Sequence, residues 1–483
     1  MTSLFLLIPV FFPILSGAAS LIIPFRNDKF RNIYVMSSLL ISSAFVWISA
    51  VFSSDETLIL LNFTENLNFS LKLDGAGKIF SCLSATLWPL TALYAFEYMQ
   101  HEKHLKMFYS FFVGAFGAVM GIAYAENMLT MYLFYELLTI STIPLVMHGM
   151  THKDKFAARK YMVYSIGGAA FAFCGVTFLI VNNANSFIYG GALSSFNEDI
   201  FGSIIFLFAF MGFGVKAAIF PFHSWLPCAS VAPTPVTALL HAVAVVKAGA
   251  FALIRLIYYS YGTDNLRGTS VHYIIMLVCI FTIVFGSTNA LRQRHFKKRL
   301  AFSTVSNLSY ITFAATLMTP AGLIAAFCHM IFHSAIKIGA FFSAGAVLHT
   351  QKKEYISELE GIGRTMPVTM GCYLISSLAL TGIPPLCGFF SKWNIATAAV
   401  ETDNIIAVLG VAGLLISAFL TAVYMLSPAI KAFFPNNNSE TNTAVKEADK
   451  RMLIPLIICA AVSILFGVFA KIPVNMITEV LGI

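Results

Sequence analysis

Charge is what this sequence has little of. Only 11% of its 483 residues are charged, against roughly a quarter in an ordinary soluble domain. Acidic residues are the scarcest, 22 against 30 Lys and Arg. Polar faces that would interrupt the apolar runs, as in a soluble helical core, are also missing. Cysteine is present but never paired: the eight stand singly at 82, 174, 228, 279, 328, 372, 387 and 459. Without a CxxC pair neither an iron–sulfur cluster nor a structural zinc is signalled, and the thiols read as small apolar packing residues. No redox cofactor is expected on the chain, and no linker is long enough to separate domains.

What is there is apolar length. Hydrophobic residues make up 58% of the chain, and a spanning helix needs ~20 of them in a row. Such runs follow one another at 3–24, 32–52, 76–98, 107–124, 127–147, 161–181, 201–219, 237–259, 272–290, 300–318, 321–347, 368–390, 404–428 and 452–472. The fold class they predict is an all-α polytopic membrane protein with about fourteen transmembrane helices. The first run lacks a basic n-region, so it reads as a retained span, not a signal peptide. The formal net charge of +8 is distributed by topology: odd-numbered loops hold 21 of the 30 basic residues, even loops and the C-terminus only Lys72, Lys78, Arg267 and Lys471. The positive-inside rule then puts odd loops in the cytoplasm and both termini outside. That alternation argues against a nucleic-acid surface. Two connections are longer, an irregular outer loop over 53–75 and a polar cytoplasmic stretch over 434–451 that is expected to be flexible.

Two spans read as broken. KAAIFPFHSWLPCASVAPTPV carries Pro221, Pro227, Pro233 and Pro235, and TGIPPLCGFFSKW carries Pro384, Pro385 and Gly388. Proline removes a backbone donor and clashes with the preceding turn, so no straight helix crosses either segment. Lys216 stands just before the first break and Lys392 just after the second. Interrupted helices in corresponding positions of two halves point to an ion path in transporters built from inverted repeats. Here the halves would be spans four to eight and nine to thirteen.

Five basic residues remain inside spans, Lys216, Lys247, Arg255, Lys337 and Lys392, and of the acids only Glu136 lies well within one. A charge at bilayer depth costs from roughly 3 kcal/mol upward, so it faces a cavity or a partner and commonly has a task. Glu136 is about ten residues from either end of its span; it must pair with a cation or hold its proton, and a structural ion pair is the plainer alternative. Burial disfavours the charged form of lysine, so Lys216 and Lys247 can exchange protons, and a Glu–Lys pair that opens and closes can act as a gate. His241, six residues before Lys247, is off its helix face; packing, a loop contact or a relay role suit it equally. His223, inside the first break, is a second accessory candidate. Arg255 is nearer a span end and reads as snorkelling or binding a helix end; its guanidinium cannot usefully release a proton. His329, His333 and Lys337 are spaced i, i+4, i+8, one helical stripe about 12 Å long. Two histidines at i, i+4 can bind zinc, but no acid or cysteine joins them and Lys337 would repel a cation, so a proton wire is the better reading. Ser303, Thr304, Ser306, Ser309 and Ser334 are placed to hold its waters. Lys392 could snorkel outward or serve as an exit group.

At these residues the sequence resembles the antiporter-like membrane subunits of respiratory complex I, of Mrp-type cation/proton antiporters and of energy-converting membrane-bound hydrogenases. The stretches that carry the resemblance are FYELLTISTIPL around Glu136, KAAIFPFHSWLPCASVAPTPVTALLHAVAVVKAG, RHFKKRLAFSTVSNLSYI at 294–311, HMIFHSAIKIGAFF and GIPPLCGFFSKW. They cover roughly 120–400. The resemblance implies fourteen spans, two inverted five-helix repeats and a polar axis through the membrane plane. Glu136 and Lys216 match that family's paired Glu and Lys, Lys247 its central lysine, His333 and Lys337 its span-eleven connecting group, and Lys392 its terminal lysine; Asp74 falls in a common outer-side motif. The chain ends soon after span fourteen and so resembles the shorter subunits, without a long lateral helix. The APTPVTALLHAVAVVKAG stretch resembles hydrogenase-type and generic proton-conducting subunits more than the Mrp D-type.

The expected function is that of a proton-translocating subunit in a multisubunit, redox-driven pump of a prokaryotic plasma membrane. Its path would use Glu136, Lys216, Lys247, His329, His333, Lys337 and Lys392. Other membrane subunits, further antiporter-like ones among them, and peripheral redox subunits would be its partners. Flavin, iron–sulfur or nickel–iron centres would sit only on those partners; this chain would hold no catalytic, cofactor or metal site. The expected organisation is helices one to three over 1–105, a first repeat over 106–260, a second over 261–430, and a cytoplasmic loop with the last helix over 431–483. The alternative is a component of a Mrp-type Na+/H+ antiporter without redox chemistry. A secondary transporter of an organic solute would need fewer buried charges, and a plain membrane anchor none.

Overall fold

The computed structural model describes residues 2–52, 56–64, 67–196, 200–435 and 445–483. Two long helices open the chain, α1 (Thr2–Ile22) and α2 (Asp28–Phe52), followed by strands β1 (Leu58–Thr64) and β2 (Leu67–Leu71). Then come α3 (Gly75–Tyr98), α4 (Leu105–Ala123), α5 (Met128–Val146), α6 (His152–Val181) and α7 (Ile200–Lys216). Short pieces follow: α8 (Trp225–Ala229), α9 (Thr234–Ala242), α10 (Val245–Ile254), which runs on as a wider π-helical segment Arg255–Tyr261, and α11 (Thr263–Leu266). The second half holds α12 (Ser270–Arg292), α13 (Phe296–Thr316), α14 (Pro320–Gln351), α15 (Ile362–Thr365), α16 (Pro367–Thr381), α17 (Cys387–Val400), α18 (Ile405–Phe433), α19 (Lys450–Val468) and α20 (Lys471–Leu481).

Among the described residues eleven helical stretches are long and apolar enough to cross a membrane, Thr234–Tyr261 counted as one. The other expected spans fall on α7 and α16, which are apolar but shorter, and on α13, which opens with Lys297, Lys298 and Arg299. The chain is an all-α polytopic membrane protein. Burial sorts its helices into shells. The Thr234–Tyr261 stretch is wholly buried and α14 nearly so, whereas two thirds of the α18 window faces outward with apolar side chains such as Leu415, Phe419 and Val423. A helix greasy all round and enclosed is a core helix; a greasy outer face is solvated by lipid. At the centre, α14 packs against α3, α9, α13, α16, α17, α19 and α20.

The segment expected to be an irregular outer loop is instead an antiparallel hairpin, with Leu58 opposite Leu71 and register shifts along it. The run LILLNFT–LNFSL is rich in strand-forming residues, and α5 supplies partners for its backbone: the Ser70 amide donates to Thr130 Oγ1 (3.1 Å), and Asn127 Nδ2 to the Asn68 carbonyl (3.1 Å). Asn127 also caps α5 by accepting from the Thr130 amide. Half of the polar stretch read as a flexible cytoplasmic loop, 436–444, lies outside the described residues.

Both proline breaks are present. The chain leaves the helix after Lys216 and re-forms it at Phe222–Ala229; α16 ends at Thr381 and α17 begins at Cys387. A third break interrupts the eighth expected span at Val243–Ala244, where no proline or glycine marks it; the Ala244 amide reaches back to the Leu239 carbonyl at 2.8 Å.

Arg255 decides between two readings, snorkelling and binding at a helix end, in favour of the second. It does not snorkel: it is fully buried, with its guanidinium within 4.6 to 4.9 Å of the Phe187, Phe251 and Tyr259 ring centroids. Both terminal nitrogens donate to Asp74, Nη2 to Oδ1 at 2.6 Å and Nη1 to Oδ2. Asp74 is the N-cap of α3, accepting from the Gly77 amide at 2.9 Å. One carboxylate thus starts a helix and neutralises the end of another span. Breaking a buried ion pair from one side leaves a bare charge and costs about 3–5 kcal/mol, whereas removing both partners costs far less. Arg255→Met and Asp74→Asn should therefore each lower the unfolding temperature in detergent more than the double variant does. A double variant no better than the worse single would contradict this.

Candidate proton pathway

The first cluster forms where α7 stops. Lys216, its last residue, is buried; its Nζ donates to the Tyr135 carbonyl, lies 3.2 Å from the Tyr135 ring centroid, and is 3.5 Å from Glu136 Oε1. Glu136 is 24% exposed on the flank of α5, so this carboxylate sits at the edge of the fold with the lysine behind it. α10 passes close by: a Cβ on Gly249 would come within 2.4 Å of the Ala217 amide nitrogen and 3.0 Å of Lys216 Cβ. The glycine of VVKAG is what lets the helix carrying Lys247 abut the end of α7.

The second cluster joins α10 to α14. Lys247 Nζ and His333 Nδ1 are 2.9 Å apart, both fully buried. Two nitrogens at that distance share one proton. If Lys247 is the ammonium donor, His333 Nδ1 accepts with its lone pair; if Nδ1 carries hydrogen, the amine of Lys247 accepts. Two full charges there would repel by roughly 6 kcal/mol even at an effective dielectric of about 20, so the pair titrates as a unit. The His329 ring follows, its centroid 5.8 Å from that of His333, with Nδ1 2.9 Å from Ser391 Oγ. Nε2 of each histidine is buried without a hydrogen-bond partner. Zinc, the rival reading of the two histidines, would have to displace Lys247 from His333 Nδ1, and no group of three or more metal-binding side chains occurs among the described residues.

Lys337, one turn on, donates to the Leu300 carbonyl at 3.1 Å and to Ser303 Oγ. Lys392 reaches back from α17 across the second break. It donates to the Leu380 (2.7 Å) and Thr381 (3.1 Å) carbonyls, with the Tyr310 ring centroid 5.2 Å away. Those carbonyls belong to the last turn of α16, left without amide partners where the helix ends, and a helix C-terminus attracts a cation. The break itself thus builds the seat for Lys392.

Of the sequence-derived residues, the structure joins Glu136 with Lys216, Lys247 with His333, and His329 with Ser391 beside Lys392. Among the described residues no hydrogen bond links Lys216 to Lys247, and neither accessory histidine bonds to a lysine of the series. His241 Nε2 meets Ser230 Oγ at 3.5 Å and its ring packs on Phe341. His223 lies among the Phe220, Phe285 and Phe302 rings. Lys297, expected in a basic loop, is buried and donates to the Ala232 carbonyl at 3.0 Å. Its signal was present: it precedes Thr304 by seven residues, two helical turns, and so shares that residue's helix face.

A long apolar bundle with proline-broken helices and a buried lysine–histidine series defines the class, the antiporter-like membrane subunits. Residues 125–421 match the family model described as NADH:quinone oxidoreductase/Mrp antiporter, transmembrane, and the chain belongs to that family. The match contains every member of the series from Glu136 to Lys392. The A/B subunit of a probable K+/H+ antiporter from Rhizobium meliloti (strain 1021) is 33% identical over 342 residues, 70% of this chain and 33% of the relative. The A1 subunit of a Na+/H+ antiporter from Staphylococcus aureus is 29% identical over 495 residues, 95% of this chain and 61% of the relative. The chain thus spans between a third and about three fifths of these relatives' length. In fold it matches a chain of the Mrp complex from Dietzia sp. DQ12-45-1b (TM-score 0.85, 21% identity, all of this chain and 52% of that one). It equally matches a chain of the membrane-bound sulfane sulfur reductase, an archaeal respiratory membrane complex (TM-score 0.85, 22% identity, all of this chain and 97% of that one).

The seat of Lys392 depends on Gly388, where a Cβ would stand 1.8 Å from the Ala379 carbonyl oxygen; Gly371, earlier in α16, has nothing within 4 Å. Gly388→Ala should destabilise by about 1–3 kcal/mol, the usual cost of forcing atoms into a packed site. Gly371→Ala should be neutral or stabilising by up to ~1 kcal/mol. Thermal unfolding of the two variants in detergent checks the contrast; equal effects would refute it.

Proposed function

We propose that this chain is a proton-translocating, antiporter-like subunit of a multisubunit redox-driven ion pump, an energy-converting hydrogenase or complex I-like oxidoreductase. One observation carries the reading: Lys247, Lys337 and Lys392 are held at bilayer depth by neutral acceptors only, an imidazole, a hydroxyl and backbone carbonyls, with no carboxylate in ion-pair range among the described residues. A purely structural lysine would carry a counter-charge, as Arg255 does with Asp74. In this reading a proton step at one cluster alters the field at the next, and Glu136–Lys216 is the gate. Protons are favoured over sodium because a sodium site wants several hard oxygen ligands, and the series is built of lysines and histidines.

The two-repeat organisation, 106–260 and 261–430, belongs to the same proposal, with one lysine-flanked break in each half. Both termini lie outside the membrane of a prokaryotic cell, as the charge bias favours. The partners are other membrane subunits and peripheral redox subunits, which hold the flavin, iron–sulfur or nickel–iron centres. The names of the curated relatives favour a second reading, a component of a cation/proton antiporter without redox chemistry. Co-purifying subunits separate the two: iron–sulfur or nickel–iron proteins support the first, small antiporter subunits alone the second.

The residue roles are tested in membrane vesicles containing the assembled complex. Lys216→Met and Glu136→Gln should each cut coupled proton translocation by roughly 10²-fold, the low end of what a positioned proton-transfer group contributes, while assembly persists. Wild-type translocation in either variant would overturn the assignment.

A further inference from the structure

The back of α14 borders a cavity. Helical residues advance by about 100°, so Ile331 and Ala335, two positions either side of His333, lie on the opposite face from it. There they form the inner end of a cavity of about 610 Å3 between α2, α3, α14, α19 and α20. Its lining is almost wholly apolar, and Lys78 is its one charged residue.

The geometry points to a site for a single anionic phospholipid, with its acyl chains in this cleft and its phosphate on Lys78. Depth is the first argument. On α3 the lining runs from Lys78 to Leu90, twelve residues or about 18 Å of helix, close to half of a ~30 Å hydrocarbon core. The cleft is one leaflet deep, which suits an acyl chain and not a spanning segment. Lining is the second: apart from Lys78 and Thr86 the side chains around the cleft are apolar, which suits hydrocarbon, since burying an unpaired polar group is costly. Charge is the third. Lys78, in the first turn of α3, is one of only four basic residues assigned to the even loops and the C-terminus. No carboxylate lies within ion-pair distance of it among the described residues. Finally, α20 closes the same end of the cleft with Ile472, Met476 and Val480, and Gly75 lets its C-terminal turn touch the start of α3. A short helix with one apolar face, set at the mouth of a lipid-deep cleft, is placed as an interfacial helix is.

Native mass spectrometry of the protein purified in mild detergent from its own membrane tests this, with lipid extraction identifying the bound species. One phospholipid should be retained per chain. Lys78→Glu should lower retention roughly fivefold, the equivalent of the ~1 kcal/mol one lysine contributes at an anionic lipid surface, and Lys78→Arg should keep it. Ala335→Phe, which fills the inner end, should lower it with the lysine intact. If that core variant fails to fold, the half-buried Lys78 pair of variants still decides the matter. Retention unchanged in Lys78→Glu, a bound uncharged isoprenoid, or no bound lipid would each overturn the proposal. None of these outcomes bears on proton translocation, which is read separately through Lys216 and Glu136.

Discussion

An ammonium group inside a bilayer needs acceptors for its protons, because water is absent and each unmet donor is costly. Much of this fold is the supply of those acceptors. Tyr135 turns its carbonyl and ring face to Lys216, His333 gives Lys247 a ring nitrogen, Ser303 and Leu300 hold Lys337, and the open end of α16 holds Lys392. Each acceptor comes from a different helix than the lysine it serves, so satisfying the lysines and packing the helices are one problem. The central position of α14 follows from this, since it carries one lysine and two histidines to three neighbours at once.

Broken helices are the second device. A continuous helix consumes its own carbonyls and offers none to a neighbour; a break frees the last turn. At the second break this is direct, with Lys392 on the terminal carbonyls of α16. Glycine makes it compact: Gly388 brings α17 against Ala379, and Gly467 lets α19 approach the Pro385 carbonyl, where a Cβ would stand 2.0 Å away. Proline opens the helix and glycine closes the space around the opening.

Hydropathy and proline make a local statement, and those parts of the structure were legible in the sequence: the long apolar helices, the breaks at Lys216 and Lys392, the stripe from His329 to Lys337. What was not legible depends on distant partners. Arg255 looked like a span-end residue because Asp74 is 181 positions away. Lys297 looked like one more positive-inside charge because the Ala232 carbonyl that buries it lies on another element. The hairpin was hidden by its setting, since its backbone partners are Thr130 and Asn127 of α5. The break at Val243–Ala244 has no marker residue at all; the apolar run through it reads as helix, and packing overrides that preference, as tertiary context does.

The contact between Lys247 and His333 shows why such a series would use lysine and histidine instead of carboxylate pairs. A Lys–Glu contact is strongest when both members are charged, so it holds its proton and resists emptying. A Lys–His contact at 2.9 Å is a hydrogen bond in either of two states that differ only in which nitrogen owns the proton, and both carry the same total charge. A change of field at a neighbouring cluster then needs to supply only the difference between those states. One elementary charge moved through 100 mV is worth about 2.3 kcal/mol, so a nearby charge forming or disappearing in a poorly screened interior biases which nitrogen holds the proton. In the proposed path this buried pair is the responsive contact, while the Arg255–Asp74 pair, bidentate and charged, holds the fold. The same chain holds both kinds of contact, a bidentate ion pair and a proton shared between two nitrogens.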